Sequence, residues 1–129
     1  MKQMHDKEFA AILGMLATDR YRLFIERVAD WQEIWSLRNN DGWSLMSNED
    51  QVELVPVWPH ERFALACAEA SDGEYAAAIS LTDWIGKWIP GMSKDGRLIA
   101  VFPVPSGNGI VVTPVQMQTD LLTACEKYE

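Results

Sequence analysis

The stretch EIWSLRNNDGWSL, residues 33–45, decides the fold of this 129-residue chain. Trp35 and Leu37 alternate with polar neighbours, and the tryptophan and leucine of the second half do the same. A period of two is typical of a half-buried β-strand. Between the two halves, residues 39–42 (Asn-Asn-Asp-Gly) favour a tight turn, because these residue types tolerate positive φ. We therefore predict a β-hairpin whose inner face carries tryptophan.

Helical spacing of apolar residues precedes this hairpin. This spacing predicts a first helix within residues 1–17 and a second helix from Thr18 onward. We expect the first helix to dock loosely, because it is terminal and contains glycine. After the hairpin, residues 52–57 predict a third strand, so that residues 33–57 form an antiparallel meander. Pro56 cannot donate to a β-ladder and is therefore expected at an edge or a bulge.

The second half of the chain alternates helices with strands. One helix begins at Pro59 and ends at Ser71-Asp72-Gly73, and a short strand follows. A tryptophan-rich helix then runs until Pro90-Gly91 stops it. The apolar run of residues 98–102 is typical of a strand that is covered on both faces.

The last helix has the clearest local signal. Residues 113–116 (Thr-Pro-Val-Gln) form a capping box with proline at the first helical position. The complete order, ααβββαβαββα, predicts an α+β fold in which residues 1–129 form one domain. Its architecture is a two-layer, mixed and largely antiparallel sheet of about six strands packed by helices.

Composition limits the function classes. Apolar residues make up 48 % of the chain and charged residues 23 %, as in a globular protein. The formal net charge of -8 argues against nucleic acid and against an anionic membrane surface, since both attract basic proteins. Neither a signal peptide nor an apolar run long enough to span a membrane is present in the sequence, which predicts a cytoplasmic protein. Cys67 and Cys125 are then reduced core thiols.

Enzymatic signatures do not occur in the sequence. It contains no HExxH, CxxC or G-x-S-x-G pattern and no phosphate-binding glycine loop. Only His5 and His60 could supply an imidazole, which makes a multi-histidine metal site or a catalytic triad unexpected. We therefore predict no cofactor, no metal and no catalytic set, and the sequence favours a protein that is not an enzyme.

The most unusual local string is Trp58-Pro59-His60-Glu61-Arg62. A histidine at a strand-to-helix junction can act as an acid or base near neutral pH. In the structural interpretation, Trp58 fills the core and His60 and Glu61 occupy the first helical turn. Trp43 beside Asp41 is a second place where a half-exposed indole adjoins a polar group. The candidate binding surface comprises Asp41, Trp43, Trp58, His60, Glu61 and Arg62.

Two further features are interpreted structurally. The six tryptophans fall mostly in phase with apolar stripes, which predicts core packing as their main role. The acidic turn at Glu49 and Asp50 is typical of a solvated loop.

Several spaced segments resemble a bacterial family of small proteins catalogued as domain of unknown function 2750. The segments are residues 28–30 (Val-Ala-Asp), 33–37 (Glu-Ile-Trp-Ser-Leu), 41–43 (Asp-Gly-Trp), 55–60 (Val-Pro-Val-Trp-Pro-His), 84–91, 94–96, 101–103, 109–112 and Pro114. The resemblance spans residues 18–129 and implies a compact, cytoplasmic bacterial protein. That group has no assigned activity, so no functional residue is carried over.

Three function classes follow from these observations. The leading hypothesis is a non-enzymatic interaction module, regulatory or immunity-like, that binds a basic protein partner through an acidic, tryptophan-bearing surface. The alternative is a small-molecule binder or minor hydrolase with a pocket around His60. The third is a structural protein that forms a homodimer through the edge near Pro56 or through the stripe of Trp84 and Trp88.

Overall fold

The computed structural model describes residues 5–47, 49–68 and 73–128. Along the chain, the helices and strands are α1 (Asp6–Leu13), α2 (Ala17–Trp31), β1 (Glu33–Asn39), β2 (Gly42–Trp43), β3 (Met46–Ser47), β4 (Glu53–Val57), α3 (Glu61–Ala66), β5 (Tyr75–Ser80), α4 (Leu81–Asp83), α5 (Ile89–Asp95), β6 (Leu98–Val101), β7 (Ile110–Val112) and α6 (Pro114–Cys125). A π-helical segment, Trp84–Trp88, joins α4 to α5, and a short 3₁₀ helix, Glu126–Tyr128, follows α6.

The strands form two sheets that meet at Trp35 and Trp58. The first sheet has the order β2-β1-β5 and is antiparallel, and the second has the order β3-β4-β6-β7 with a parallel pair, β4 and β6, at its centre. The N–H of Trp35 donates to the carbonyl of Trp58 over 2.9 Å, and the reverse bond is 2.8 Å long. The predicted α+β class with mixed, largely antiparallel strands is confirmed, although the strands divide between two sheets.

The pairing of the third predicted strand differs from the expectation. The first hairpin is confirmed, with Asn39 opposite Gly42 at its turn. The predicted meander over residues 33–57 is wrong beyond this hairpin, because β4 pairs with β3 on one side and in parallel with β6 on the other. Residues 54–57 are all buried, so β4 takes a central position beside the equally apolar β6.

Pro56 lies in a part of β4 that does not pair with β3. The β3 ladder reaches only Glu53 and Leu54, so it ends before Pro56. The missing N–H of the proline therefore interrupts no pairing with β3, as the edge prediction requires. The Pro56 carbonyl accepts a 2.6 Å hydrogen bond from the buried hydroxyl of Ser36, which ties β4 to the other sheet.

Two predicted helix ends are wrong. The tryptophan-rich helix does not stop at Pro90-Gly91, because the chain continues from the π-helical segment into α5 with the proline near the start of α5. This helix ends at Gly96, whose φ of 70° is left-handed. The helix predicted from Pro59 was expected to end at Ser71-Asp72-Gly73, of which only Gly73 lies within the described residues. In the structure this helix is α3, which already ends at Ala66.

The core joins both sheets to α2, α3, α5 and α6. Trp58 and Trp84 are fully buried in it, which confirms core packing for these two tryptophans, and the other four are half-buried. The N-cap of α6 is confirmed, since the Thr113 hydroxyl accepts from the N–H of Gln116 over 3.1 Å, but the Gln116 side chain donates to Asp120 and does not complete the predicted capping box. A single charged side chain of the described chain, Arg20, is buried among these elements with only 4 % of its surface exposed.

Arg20 binds three backbone carbonyls. Its Nε donates to Phe102 over 3.0 Å, its Nη1 to Met15 over 2.6 Å and its Nη2 to Asn108 over 2.9 Å. Among the described acidic side chains, none forms an ion pair with it. Burial lowers the pKa of the guanidinium below its usual value, but arginine stays charged in proteins. The carbonyl dipoles therefore compensate the buried charge and fix the connection between β6 and β7, residues 102–109.

The two ends of this connection need unusual backbone geometry. Phe102 has a φ of 59°, which is rare for a bulky residue, and its N–H donates to Val57 over 2.8 Å. At the other end, a Cβ on Gly109 would lie 2.1 Å from the carbonyl oxygen of Val101. The connection is therefore held tightly against the ends of β4 and β6.

We expect Gly109→Ala to lower the free energy of unfolding by about 2 kcal/mol or more, because the added methyl group cannot fit against fixed backbone. Gly91→Ala is the matched control: it lies in α5 with open space around its Cβ, and helix propensity should raise stability by about 0.5–1 kcal/mol. Urea denaturation of both variants measures the difference. Equal effects of the two substitutions would contradict the close packing of the connection.

Arg20→Met should lower the free energy of unfolding by about 3 kcal/mol, since three carbonyls lose their donor. Arg22→Met, on the exposed side of the same helix, should change it by less than about 0.5 kcal/mol. Each substitution removes one positive charge, so the two variants differ in the site of the change and not in net charge. Similar unfolding midpoints for the two variants would show that the buried guanidinium does not hold the fold.

Candidate functional site

A cavity of about 690 Å³ lies where the two sheets meet the connection between β6 and β7. Leu37 and Ser44 contribute from the first sheet, and Pro56 and Trp58 from the second. The remaining walls are the C-terminal end of α3 and its continuation (Ala66, Cys67, Ala68), the connection itself (Pro103, Val104, Pro105, Ser106, Gly107, Asn108), Met46 and Glu74. We call this space the central cavity. Most of the residues that line it are of apolar types, and polar groups also form a large part of its surface.

Two smaller cavities adjoin the central cavity. One, of about 310 Å³, shares Ser44 and Glu74 with it. The other, of about 490 Å³, shares Met46, Pro103 and Asn108 with it. The three cavities are therefore neighbours, and we call them together the groove.

The charges around the groove have one sign. Asp41 and Glu74 line its first small cavity, and Glu49 and Asp50 line the other. Among the described residues that line any of the three cavities, none is lysine, arginine or histidine. The groove therefore combines mostly apolar residue types at its centre with carboxylates both there and at its two ends. Such a site favours a cationic or partly cationic occupant.

Hydrogen bonds fix the two sides of the central cavity. On one side, the Ser44 hydroxyl donates to a carboxylate oxygen of Glu74, and the Ser44 N–H donates to the Leu37 carbonyl over 2.8 Å. On the other side, the Pro103 carbonyl accepts from the indole N–H of Trp58 over 2.7 Å and from the Cys67 thiol over 3.4 Å. These bonds hold both walls in place.

Cys67 is a wall residue and has no properties of a nucleophile. Burial raises the pKa of its thiol, an effect that outweighs the opposing hydrogen bond and the charge of Arg20. Its sulfur therefore stays protonated at neutral pH and donates to the Pro103 carbonyl. Cys67 and Cys125 are both free thiols.

Three of the six candidate residues lie in the groove. Asp41 and Trp43 line the smaller cavity beside Ser44, and Trp58 forms part of the central wall although only 1 % of its surface is exposed. The Trp43 ring also packs edge-on against Trp88, with centroids 4.9 Å apart. Arg38 covers Trp43 at 4.9 Å from its ring centroid.

His60 has a structural role at the start of α3. Its Nδ1 accepts the backbone N–H of Arg62 over 3.1 Å, which makes it the N-cap of a helix that begins at Glu61 and not at Pro59 as predicted. The side chain is buried, and His60 is not among the residues that line the groove. Because Nδ1 is engaged with the helix backbone, it cannot serve as a base while the cap is formed.

Glu61 and Arg62 lie on the α1 side of the molecule. Glu61 is exposed in the first turn of α3. Arg62 forms a 3.0 Å ion pair with Asp6 and covers the Phe9 ring at 4.1 Å from its centroid. These contacts fasten α1 to α3, and the structure therefore separates Glu61 and Arg62, like His60, from the groove.

Sequence reasoning missed the residues that complete the groove. Glu74 stands immediately before β5, a position with no alternation or motif that distinguishes it from a solvated glutamate. The turn at Glu49 and Asp50 was interpreted as a solvated loop, and both residues are exposed, but their place in the lining of a cavity was not predicted. Only the pairing of distant strands brings these positions together, and no local pattern encodes that pairing.

The sequence model of one family, described as a protein of unknown function (DUF2750), matches residues 21–121. The chain belongs to the DUF2750 family. This confirms the resemblance carried by the tryptophan, proline and glycine segments, and it assigns no activity. No curated protein matches the chain significantly, and no solved structure does.

Two further properties concern the described part of this DUF2750 protein. Its histidine, cysteine and acidic side chains form no group of three or more that could hold a metal ion. Within the same residues, no helix has the length and apolar character to cross a membrane.

We expect His60→Ala to lower the free energy of unfolding by about 1 kcal/mol more than His60→Asn does, because asparagine retains a side-chain acceptor for the N-cap. Thermal or urea unfolding of the two variants measures this difference. If both variants are equally destabilised, the ring contributes through packing and the capping role is wrong.

Proposed function

We propose that this DUF2750 protein is a non-enzymatic interaction module that binds a basic segment of a partner protein in the groove. The observation that carries the proposal is the lining of the groove, with mostly apolar residue types at its centre, four carboxylates and no cationic side chain among the described residues. An occupant with apolar and positively charged side chains complements both parts.

A polypeptide suits this surface better than a nucleic acid does. Phosphates would meet Asp41, Glu49, Asp50 and Glu74 at close range, and like charges at an interface oppose association. A basic protein segment experiences the opposite effect, which also accelerates encounter at low salt. The three adjacent cavities accommodate an extended segment, in which neighbouring side chains enter different cavities.

Catalysis at His60, the alternative in the sequence reasoning, has less support. Its Nδ1 accepts the backbone N–H of Arg62, and the three cavities are lined by other residues. The Cys67 thiol, whose pKa is raised by burial, is also unsuited to nucleophilic attack. A binding role needs neither group to react.

The cellular setting is part of the same proposal. Two free cysteines fit a reducing compartment, and we place the module in the bacterial cytoplasm. A regulatory or immunity-like role agrees with this mode of binding, because an occupied groove covers a basic surface of the partner. Binding of this kind is sensitive to ionic strength.

Selection from a displayed library of random peptides of about twelve residues tests the proposal, since such peptides sample extended segments. We expect enrichment of lysine or arginine together with apolar residues. The best peptide, followed by tryptophan fluorescence, should bind about tenfold more weakly when salt is raised from about 50 to about 500 mM. A peptide with every basic residue replaced by glutamate is the control and should not bind.

Two triple variants locate the binding site. Asp41→Asn, Glu49→Gln and Asp50→Asn together should weaken binding of the basic peptide by about tenfold. Glu26→Gln, Asp30→Asn and Glu126→Gln remove the same total charge from exposed positions outside the groove and should have little effect. Equal weakening by both triples, or selection of no basic peptide, overturns the proposal.

A further inference from the structure

One charged residue, Glu74, lines the central cavity, which is partly open to solvent and has mostly apolar residue types in its wall. Of the residues that line the central cavity, it is the single ionised side chain among those described. The surrounding wall includes Leu37, Pro56, Trp58 and Val104. Glu74 also lines the adjoining small cavity, so it lies at the junction between the two spaces.

The Glu74 carboxylate is held in place by the first sheet. Glu74 directly precedes β5, and the first residue of β5, Tyr75, lies opposite Arg38 in the β1 ladder. The Ser44 hydroxyl donates to its carboxylate, and the Ser44 backbone is bound to Leu37 of the same ladder. A carboxylate fixed from its backbone and from its head group loses little conformational freedom when it binds a cation.

The apolar wall makes this carboxylate selective. A charge pair is stronger beside apolar walls than in open water, because the effective dielectric constant is lower there. A neutral side chain that filled the cavity would remove water from Glu74 without replacing its hydrogen bonds, and an acidic one would repel it. Lysine and arginine fit both parts, since their aliphatic stems pack on apolar surface while their heads reach a charged partner.

We infer that the central cavity is a socket for one lysine or arginine side chain of the partner and that Glu74 is the residue that determines this specificity. This inference rests on the proposed function and adds a position-specific requirement to it. The aliphatic stem lies against Leu37, Pro56 and Trp58, and the cationic head pairs with Glu74. The carboxylates at the two ends of the groove act on the rest of the segment.

A double-mutant cycle between protein and peptide tests the socket. In the basic peptide obtained from the library, each lysine or arginine is replaced in turn by norleucine, which keeps an aliphatic stem and removes the charge. We expect one position to lose roughly tenfold or more in affinity, and Glu74→Gln to cause a similar loss with the unmodified peptide. Combining the two changes should add little further loss, because they remove the same interaction.

Charge exchange provides the second measurement. Glu74→Lys should abolish binding of the basic peptide and recover part of it when the critical basic residue is replaced by glutamate. Asp50→Asn is the matched control: it removes one groove carboxylate outside the central cavity and should weaken all peptides uniformly by about two- to threefold. Urea unfolding of each variant confirms that the compared proteins are folded.

The outcomes separate the two proposals. If the basic peptide binds and the groove triple weakens it, but Glu74→Gln has no larger effect than Asp50→Asn, the socket is wrong and the interaction module stands. The same holds if every basic position of the peptide couples equally to Glu74. If no basic peptide binds the unmodified protein, the proposed function fails, and the inference drawn from it fails as well.

Discussion

The buried guanidinium of Arg20 is the interaction on which the rest of the structure depends. It lies on α2, which is a helix with an ordinary amphipathic pattern, but it donates to carbonyls far along the chain at Phe102 and Asn108. A buried cation is costly unless its donors are satisfied, and backbone carbonyls satisfy them here without a carboxylate partner. The first half of the chain thereby fixes the connection between β6 and β7.

That connection forms a wall of the groove, so the constraint extends to the candidate site. Phe102 keeps a left-handed backbone because its carbonyl binds Arg20 and its N–H binds Val57. The next residue, Pro103, then presents its carbonyl to Trp58 and Cys67. Each hydrogen bond in this series depends on the previous one for its geometry. The groove is therefore a consequence of core packing and not a loop feature added to it.

The features that the sequence predicted correctly are local. The turn between Asn39 and Gly42 and the N-cap at Thr113 depend on residues that are close in sequence, and both are confirmed. The pairing of β4 with β6 depends on residues more than forty positions apart, such as Val55 and Ile99, and hydrophobic alternation cannot choose between partners. The predicted meander was wrong for this reason. The buried state of Arg20 depends likewise on distant carbonyls.

The same difference between local and long-range contacts explains which of the candidate residues lie in the groove. Asp41 and Trp43 lie beside a turn that the sequence predicts well, and they belong to the groove, whereas His60 was selected for its reactivity and serves as a helix cap. Reactivity is a property of a residue type, but a site is a property of converging elements. Trp58 is part of both the core and the groove, so a substitution at this position would change the free energy of unfolding and the binding affinity together. Function is therefore best separated from folding at Glu74, whose head group lines the cavity and which is not among the buried core residues.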